Sequence, residues 1–173
     1  TVRLSACGKN SIRFQASPNG RIENQDWTLM PRKAMASAWL ENDFAVLENG
    51  SMRAELYKDG RAVYYCRDKK ILAEKPELAF GQGIRNYRSK ASGQWSARVT
   101  FEPNEKEHFY GLGHESTGCF DLKGCTIDLR HVNAKCAIPF VYSSLGYGFL
   151  WNMPSTGRCE LANNRSRWTS DST

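Results

Sequence analysis

His114, Glu115, Asp121, Lys123, Asp128, Arg130, His131 and Asn133 crowd into residues 114–133. Such a concentration of polar side chains makes this stretch the candidate binding surface. Cys119, Cys125, His131 and Cys136 are residue types that hold zinc. Their spacing matches no familiar zinc knuckle, so neither a metal nor another cofactor is expected. Two short apolar runs, 138–142 and 149–151, close the segment, with Gly146 and Gly148 between them. The pattern predicts a polar loop presented by rigid strands.

The rest of the chain reads as strands. Val2, Leu4 and Ala6 alternate with polar residues, as do Ile12, Phe14 and Ala16, and the turn 17–20 follows. Short strands are expected at 27–30, 44–47, 52–56, 62–66, 71–73, 95–101, 159–162 and 167–169. Asp59-Gly60 predicts a hairpin, because that dipeptide tolerates the positive φ of a tight turn. Residues 33–40 are rich in helix formers, although a strand there fits nearly as well. Residues 77–92 read as a long excursion. With turns about every 8–12 residues and almost no helix, the expectation is an all-β antiparallel sandwich of two sheets and about a dozen strands. Gly146 and Gly148 are expected to permit a bulge or a close approach in a strand. Trp27, Trp39, Trp95, Trp151 and Trp168 are expected in core or interdomain packing rather than on a ligand-stacking surface.

At 173 residues, 40% apolar and 24% charged, the chain suits one domain spanning 1–173. The net charge of +6 is spread, with 14 basic against 10 acidic residues in 1–86 and 10 against 8 in 87–173. No basic stripe points to nucleic acid, and no apolar run points to a membrane. Six cysteines without a CxxC pair are expected to be reduced thiols, as in a cytoplasmic protein. The chain opens on Thr1 and closes on a polar string, which predicts a piece cut from a longer protein whose leader was trimmed away if it had one.

His108-Phe109-Tyr110-Gly111-Leu112-Gly113, Asp121-Leu122-Lys123-Gly124, Ile138-Pro139-Phe140 with Ser143-Ser144 and Gly146-Tyr147-Gly148, and then Asn152 follow in an order that resembles glycoside hydrolase family 31. Residues 2–14 and 50–74 are more weakly similar. The resemblance implies an N-terminal, galactose-mutarotase-like β-sandwich. Catalysis would belong to a following (β/α)8 barrel with an aspartate nucleophile and an aspartate acid/base in a retaining mechanism. This domain would then hold no catalytic residue. It would meet an α-glycoside substrate only within the full-length enzyme, with loop 118–137 reaching the sugar site, where Asp128, Arg130, His131 and Asn133 would exchange hydrogen bonds with vicinal hydroxyls. The alternative for Asp128, Arg130, His131 and Asn133 is a solvated tip or packing against the barrel.

Three departures from the family pattern leave the sugar open: His114 precedes Glu115, Lys123 stands where arginine is usual, and 129–133 replaces a Trp-Asn-x-Asp box. A face shaped for a barrel predicts an exposed apolar patch and self-association. Competing expectations are a free-standing aldose mutarotase or epimerase, and an independent carbohydrate-binding module.

Overall fold

The computed structural model describes residues 1–24, 28–30, 33–76, 83–114 and 118–172. Among them every regular element is a strand, and every pairing is antiparallel. The chain sorts into two compact units, Thr1–Glu74 and Lys75–Thr173.

In the first unit, β1 (Val2–Ala6) and β2 (Ile12–Ala16) form a ribbon. β3 (Ala36–Leu40), β4 (Phe44–Asn49), β5 (Met52–Tyr57), β6 (Ala62–Cys66) and β7 (Lys69–Ala73) form a meander in chain order. The ribbon lies against β4 and β5. Buried Asn49 fastens it there, its Nδ2 donating to the carbonyls of Gly8 (2.9 Å) and Ser11 (2.8 Å). Val46, Glu55, Val63 and Ala73 share one row across the sheet. The Glu55 carboxylate in that row accepts from the hydroxyls of Tyr57 (2.8 Å) and Tyr65 (3.1 Å).

The Asp59-Gly60 hairpin is present: the Arg61 amide donates to Asp59 Oδ1 at 2.9 Å, and Gly60 has φ +87°. The turn joining β6 to β7 uses Arg67 (φ +49°) and Asp68 (φ +66°). Two consecutive positive φ values make a type I′ geometry, which carries no sequence signature when glycine is absent.

In the second unit, β8 (Arg85–Ser89), β9 (Trp95–Phe101), β11 (Thr126–Leu129), β14 (Gly157–Ala162) and β15 (Arg165–Ser170) form a sheet ordered β11-β14-β15-β9-β8. β10 (Phe109–His114), β12 (Cys136–Ser143) and β13 (Tyr147–Leu150) form another, ordered β10-β12-β13. The two sheets meet through aromatic rings. Phe149 of β13 stands edge-on to Phe101 at 5.3 Å and tilted against Trp168 at 5.0 Å, and Trp151 lies 6.3 Å from Trp168. Ile127, Leu129, Cys159 and Leu161 complete the buried face.

Three expectations differ from what is found, and at 33–40 the strand alternative holds. Residues 28–30 form no strand, and Trp27 lies outside the described residues. Helix-forming 33–40 yields β3, because eight residues cannot nucleate a helix alone and β4 offers a ladder. The excursion 77–92 contains β8, whose Arg85-Asn86-Tyr87-Arg88 lacks apolar alternation. Among the described residues it is an edge strand paired with β9 alone, and charged edges discourage further pairing. The rest of that excursion, 77–82, lies outside the described residues. Finally, loop 118–137 is interrupted by β11, where buried Ile127 and Leu129 alternate with Thr126 and Asp128.

Candidate functional site

The Tyr110-Gly111-Leu112-Gly113 run is a bulge. Its φ values at Gly111, Leu112 and Gly113 are +117°, +63° and +86°, and the β10–β12 register shifts there. Leu112, 1% exposed, is driven into the core and holds the unusual backbone in place. A Cβ on Gly113 would collide with the Cys136 carbonyl oxygen and the Ile138 nitrogen. The glycines are there because the β12 backbone passes too close for anything larger.

The segment after β10 folds back onto its start. Asp121 Oδ2 lies 2.6 Å from His108 Nδ1, and Oδ1 accepts from the amides of Lys123 (3.0 Å) and Phe109 (3.2 Å). Burial works to raise the Asp121 pKa, but the His108 bond and the two amides outweigh it and hold the carboxyl below its ordinary value. Asp121 is a clamp, with both oxygens engaged. A few residues away, buried Glu107 accepts from Ser143 Oγ (2.5 Å) and the Tyr147 hydroxyl (2.6 Å), tying the β12–β13 hairpin to the start of β10. Burial, reinforced by Glu107, pushes the Tyr147 hydroxyl far up.

Two surfaces result. The first is the tip between β11 and β12, where Arg130, His131 and Asn133 are exposed. It turns through a Val132–Lys135 bridge, with Ala134 at φ +63°, and the Ala134 carbonyl faces His114 Nδ1 at 3.2 Å. Asp128 is not on this tip. It sits on β11 opposite Arg158 of β14, 3.0 Å from its Nε, and that hydrogen bond lowers its pKa. Three of the four sequence-predicted binding residues therefore share the tip, while Asp128 is partnered on the adjoining sheet. Among the described residues no three histidine, cysteine or acidic side chains converge to hold a metal.

The second surface is an exposed apolar face, a patch of the kind the family resemblance predicts without locating it. The outer face of β10-β12-β13 exposes Ile138 (52%), Phe140, Tyr142 (53%) and Leu150, and Phe120 (86%) lies 5.0 Å from the Tyr110 ring beside them. The Phe140 ring lies across Gly148, where a Cβ would strike it. This is the close approach expected at that glycine. A signal was available: Ala137, Ile138, Phe140, Val141 and Tyr142 are apolar on both strand faces, a pattern of strands covered on both sides. Of the tryptophans, Trp168 is buried among rings, whereas Trp39 is partly exposed and donates to Glu41 Oε1 at 2.8 Å.

Residues 1–160 match the model of the glycosyl hydrolase 31 N-terminal galactose mutarotase-like domain. The chain belongs to that family. An uncharacterized family 31 glucosidase from Pseudescherichia vulneris is 31% identical over 98% of this chain and 36% of its own length. Among solved structures, a family 31 α-xylosidase from a soil metagenome, complexed with xylose, superposes with TM-score 0.90 at 30% identity. That match covers 97% of this chain and 28% of the other. The α-xylosidase from Xanthomonas citri gives 0.79 at 26% identity, over 91% and 17%. The chain thus spans between 17% and 36% of the length of these family 31 relatives, and its β-strands are those of the galactose mutarotase-like fold.

Proposed function

We propose that this family 31 domain is the non-catalytic part of a retaining α-glycosidase acting on terminal α-linked sugars, with α-xylosides the preferred class. The observation that carries the reading is the family match over 1–160 in a chain that spans only 36% and 28% of two relatives. The work of bond cleavage then falls to the remaining two thirds. Two solved structures above 25% identity are both described as α-xylosidases, which favours xylose over glucose.

In this reading the apolar face of β10-β12-β13 rests on the catalytic barrel, and the Arg130, His131 and Asn133 tip reaches toward the sugar. Large aliphatic and aromatic side chains left half-exposed on a sheet face are what such a covering body would bury. A free-standing mutarotase needs a histidine acid and a carboxylate base turned toward open space. The His108–Asp121 pair does not supply them, because Asp121 is already bound by His108 and two backbone amides.

The test is activity on aryl α-xyloside and aryl α-glucoside, for the chain alone and for the full-length enzyme that contains it. The full-length enzyme is expected to turn over the α-xyloside faster, and the chain alone neither. Turnover or glucose anomerisation by the chain alone overturns the reading. Arg130→Ala in the full-length enzyme is expected to raise KM about tenfold, equivalent to about 1.4 kcal/mol of binding.

A further inference from the structure

The chain carries two Asn-Gly pairs, Asn19-Gly20 and Asn49-Gly50. Glycine after asparagine leaves no side chain to shield the backbone nitrogen that can attack the asparagine amide, so both pairs share one intrinsic chemistry. The fold treats them differently. Asn49 is 2% exposed, and its Nδ2 donates to the carbonyls of Gly8 (2.9 Å) and Ser11 (2.8 Å). Asn19 and Gly20 are both exposed, on the turn that follows β2. There the Asn19 backbone amide donates to Ser17 Oγ (3.3 Å), and the Gly20 carbonyl accepts from Thr1 Oγ1 (2.9 Å). Among the described residues neither the Asn19 carboxamide nor the Gly20 nitrogen has a hydrogen-bond partner.

We propose that Asn19 is a self-modification site, converting through a succinimide to aspartate and isoaspartate while Asn49 is protected by the fold. The Gly20 nitrogen gives its proton to a solvent base and attacks Asn19 Cγ. A Cγ–N bond forms, the Cγ–Nδ2 bond breaks, and the departing nitrogen takes a proton from water and leaves as ammonia. Water then adds to one of the two carbonyls of the succinimide ring and cleaves that carbonyl's bond to the Gly20 nitrogen. Cleavage at the side-chain carbonyl leaves aspartate at position 19. Cleavage at the backbone carbonyl leaves isoaspartate, with the chain running through the former side chain. No electron changes hands, and water is the only co-reactant.

The contrast between the two pairs follows from their surroundings. Gly20 sits at φ +75°, and a Cβ there would meet nothing nearer than Thr1 Oγ1 at 3.9 Å, so water and base reach its nitrogen. For Asn49 to react, its carboxamide must leave both carbonyls and turn toward the Gly50 nitrogen, stripping two acceptors of their donor. Gly50 is also hemmed in, since a Cβ there would collide with the Asn10 side chain. At position 19 both products add a negative charge, and isoaspartate also adds one backbone carbon ahead of Gly20. That carbon moves the Gly20 carbonyl away from Thr1 Oγ1. The turn then keeps only the bond from the Ser17 amide to the Thr1 carbonyl (2.9 Å) as its backbone tie to the start of the β1–β2 ribbon.

The full-length enzyme that contains this chain is incubated in mildly alkaline buffer, with and without urea, then digested briefly with trypsin and followed by mass spectrometry. Peptide 14–21 carries Asn19, and peptide 34–53 carries Asn49. In the native enzyme peptide 14–21 is expected to gain one dalton and to separate into two products of equal mass. Its rate is expected to exceed that of peptide 34–53 by about tenfold or more, a factor set by the two hydrogen bonds Asn49 must break. In urea the two rates are expected to converge. In Asn19→Gln, whose longer side chain must close a larger ring, peptide 14–21 is expected to keep its mass. A wild-type peptide 14–21 that keeps its mass in the native enzyme, whatever it does in urea, overturns the proposal. Equal native rates for the two peptides overturn it as well.

Discussion

Replacing Tyr147 with phenylalanine tests how the β12–β13 hairpin is held. The Tyr147 hydroxyl donates at 2.6 Å to Glu107 Oε1, and Glu107 is only 3% exposed. A hydrogen bond to a charged acceptor contributes about 1.5–3 kcal/mol, and a buried acceptor stripped of a donor loses the larger part of that. Ser143 Oγ remains on the same oxygen, so the expected loss is about 2 kcal/mol, or about 4–8 °C in melting temperature for a chain of this size. The second signature is in pH. Tyr147 has its pKa raised from 10.0 by burial and by Glu107, so above pH 10 the unfolded chain releases a proton that the folded chain keeps. Stability contributed by the protonated hydroxyl is complete below pH 10 and falls above it by about 1.4 kcal/mol per pH unit for this one group. Tyr57 and Tyr65, both raised, add their own slopes and are unchanged in the variant. Urea unfolding followed by tryptophan fluorescence, at pH 7 and in steps from pH 9.5 to 11, gives both quantities. A Tyr147→Phe chain within 0.5 kcal/mol of wild type at pH 7, or with the same alkaline slope, refutes the account of the Glu107 network.

Gly113→Ala must place a Cβ at φ +86° against the β12 backbone, and a destabilisation on the order of 2–4 kcal/mol is expected in the same urea assay. Asp68→Gly should stabilise the chain by about 0.5–1 kcal/mol, because φ +66° in the β6–β7 turn costs glycine nothing. A higher midpoint with unchanged slope in urea checks it.

The strands that alternate cleanly, such as Trp95, Ala97, Val99 and Phe101, were legible because the apolar residues of β9 pack into the core while polar Ser96, Arg98 and Thr100 alternate with them. β8 and β3 were not, because an edge strand pairs on one side only and gains order from its neighbour rather than from its own pattern. Of the candidate site, the cluster of Arg130, His131 and Asn133 could be read directly, being three polar residues close in sequence on one turn. The separation of Asp128 from them could not. It depends on β11 pairing with β14, which brings Arg158 from thirty residues away.

Composition, period-two alternation and the glycine-punctuated motifs determined the all-β class, because they act within a few residues along the chain. The family resemblance rested on the same short pieces. Only the tertiary structure decided that Asp121 is a clamp and that the apolar run 138–142 buries one side while exposing the other. Each of these depends on which strands become neighbours, and long-range pairing is set by the packing of whole sheets rather than by any local pattern.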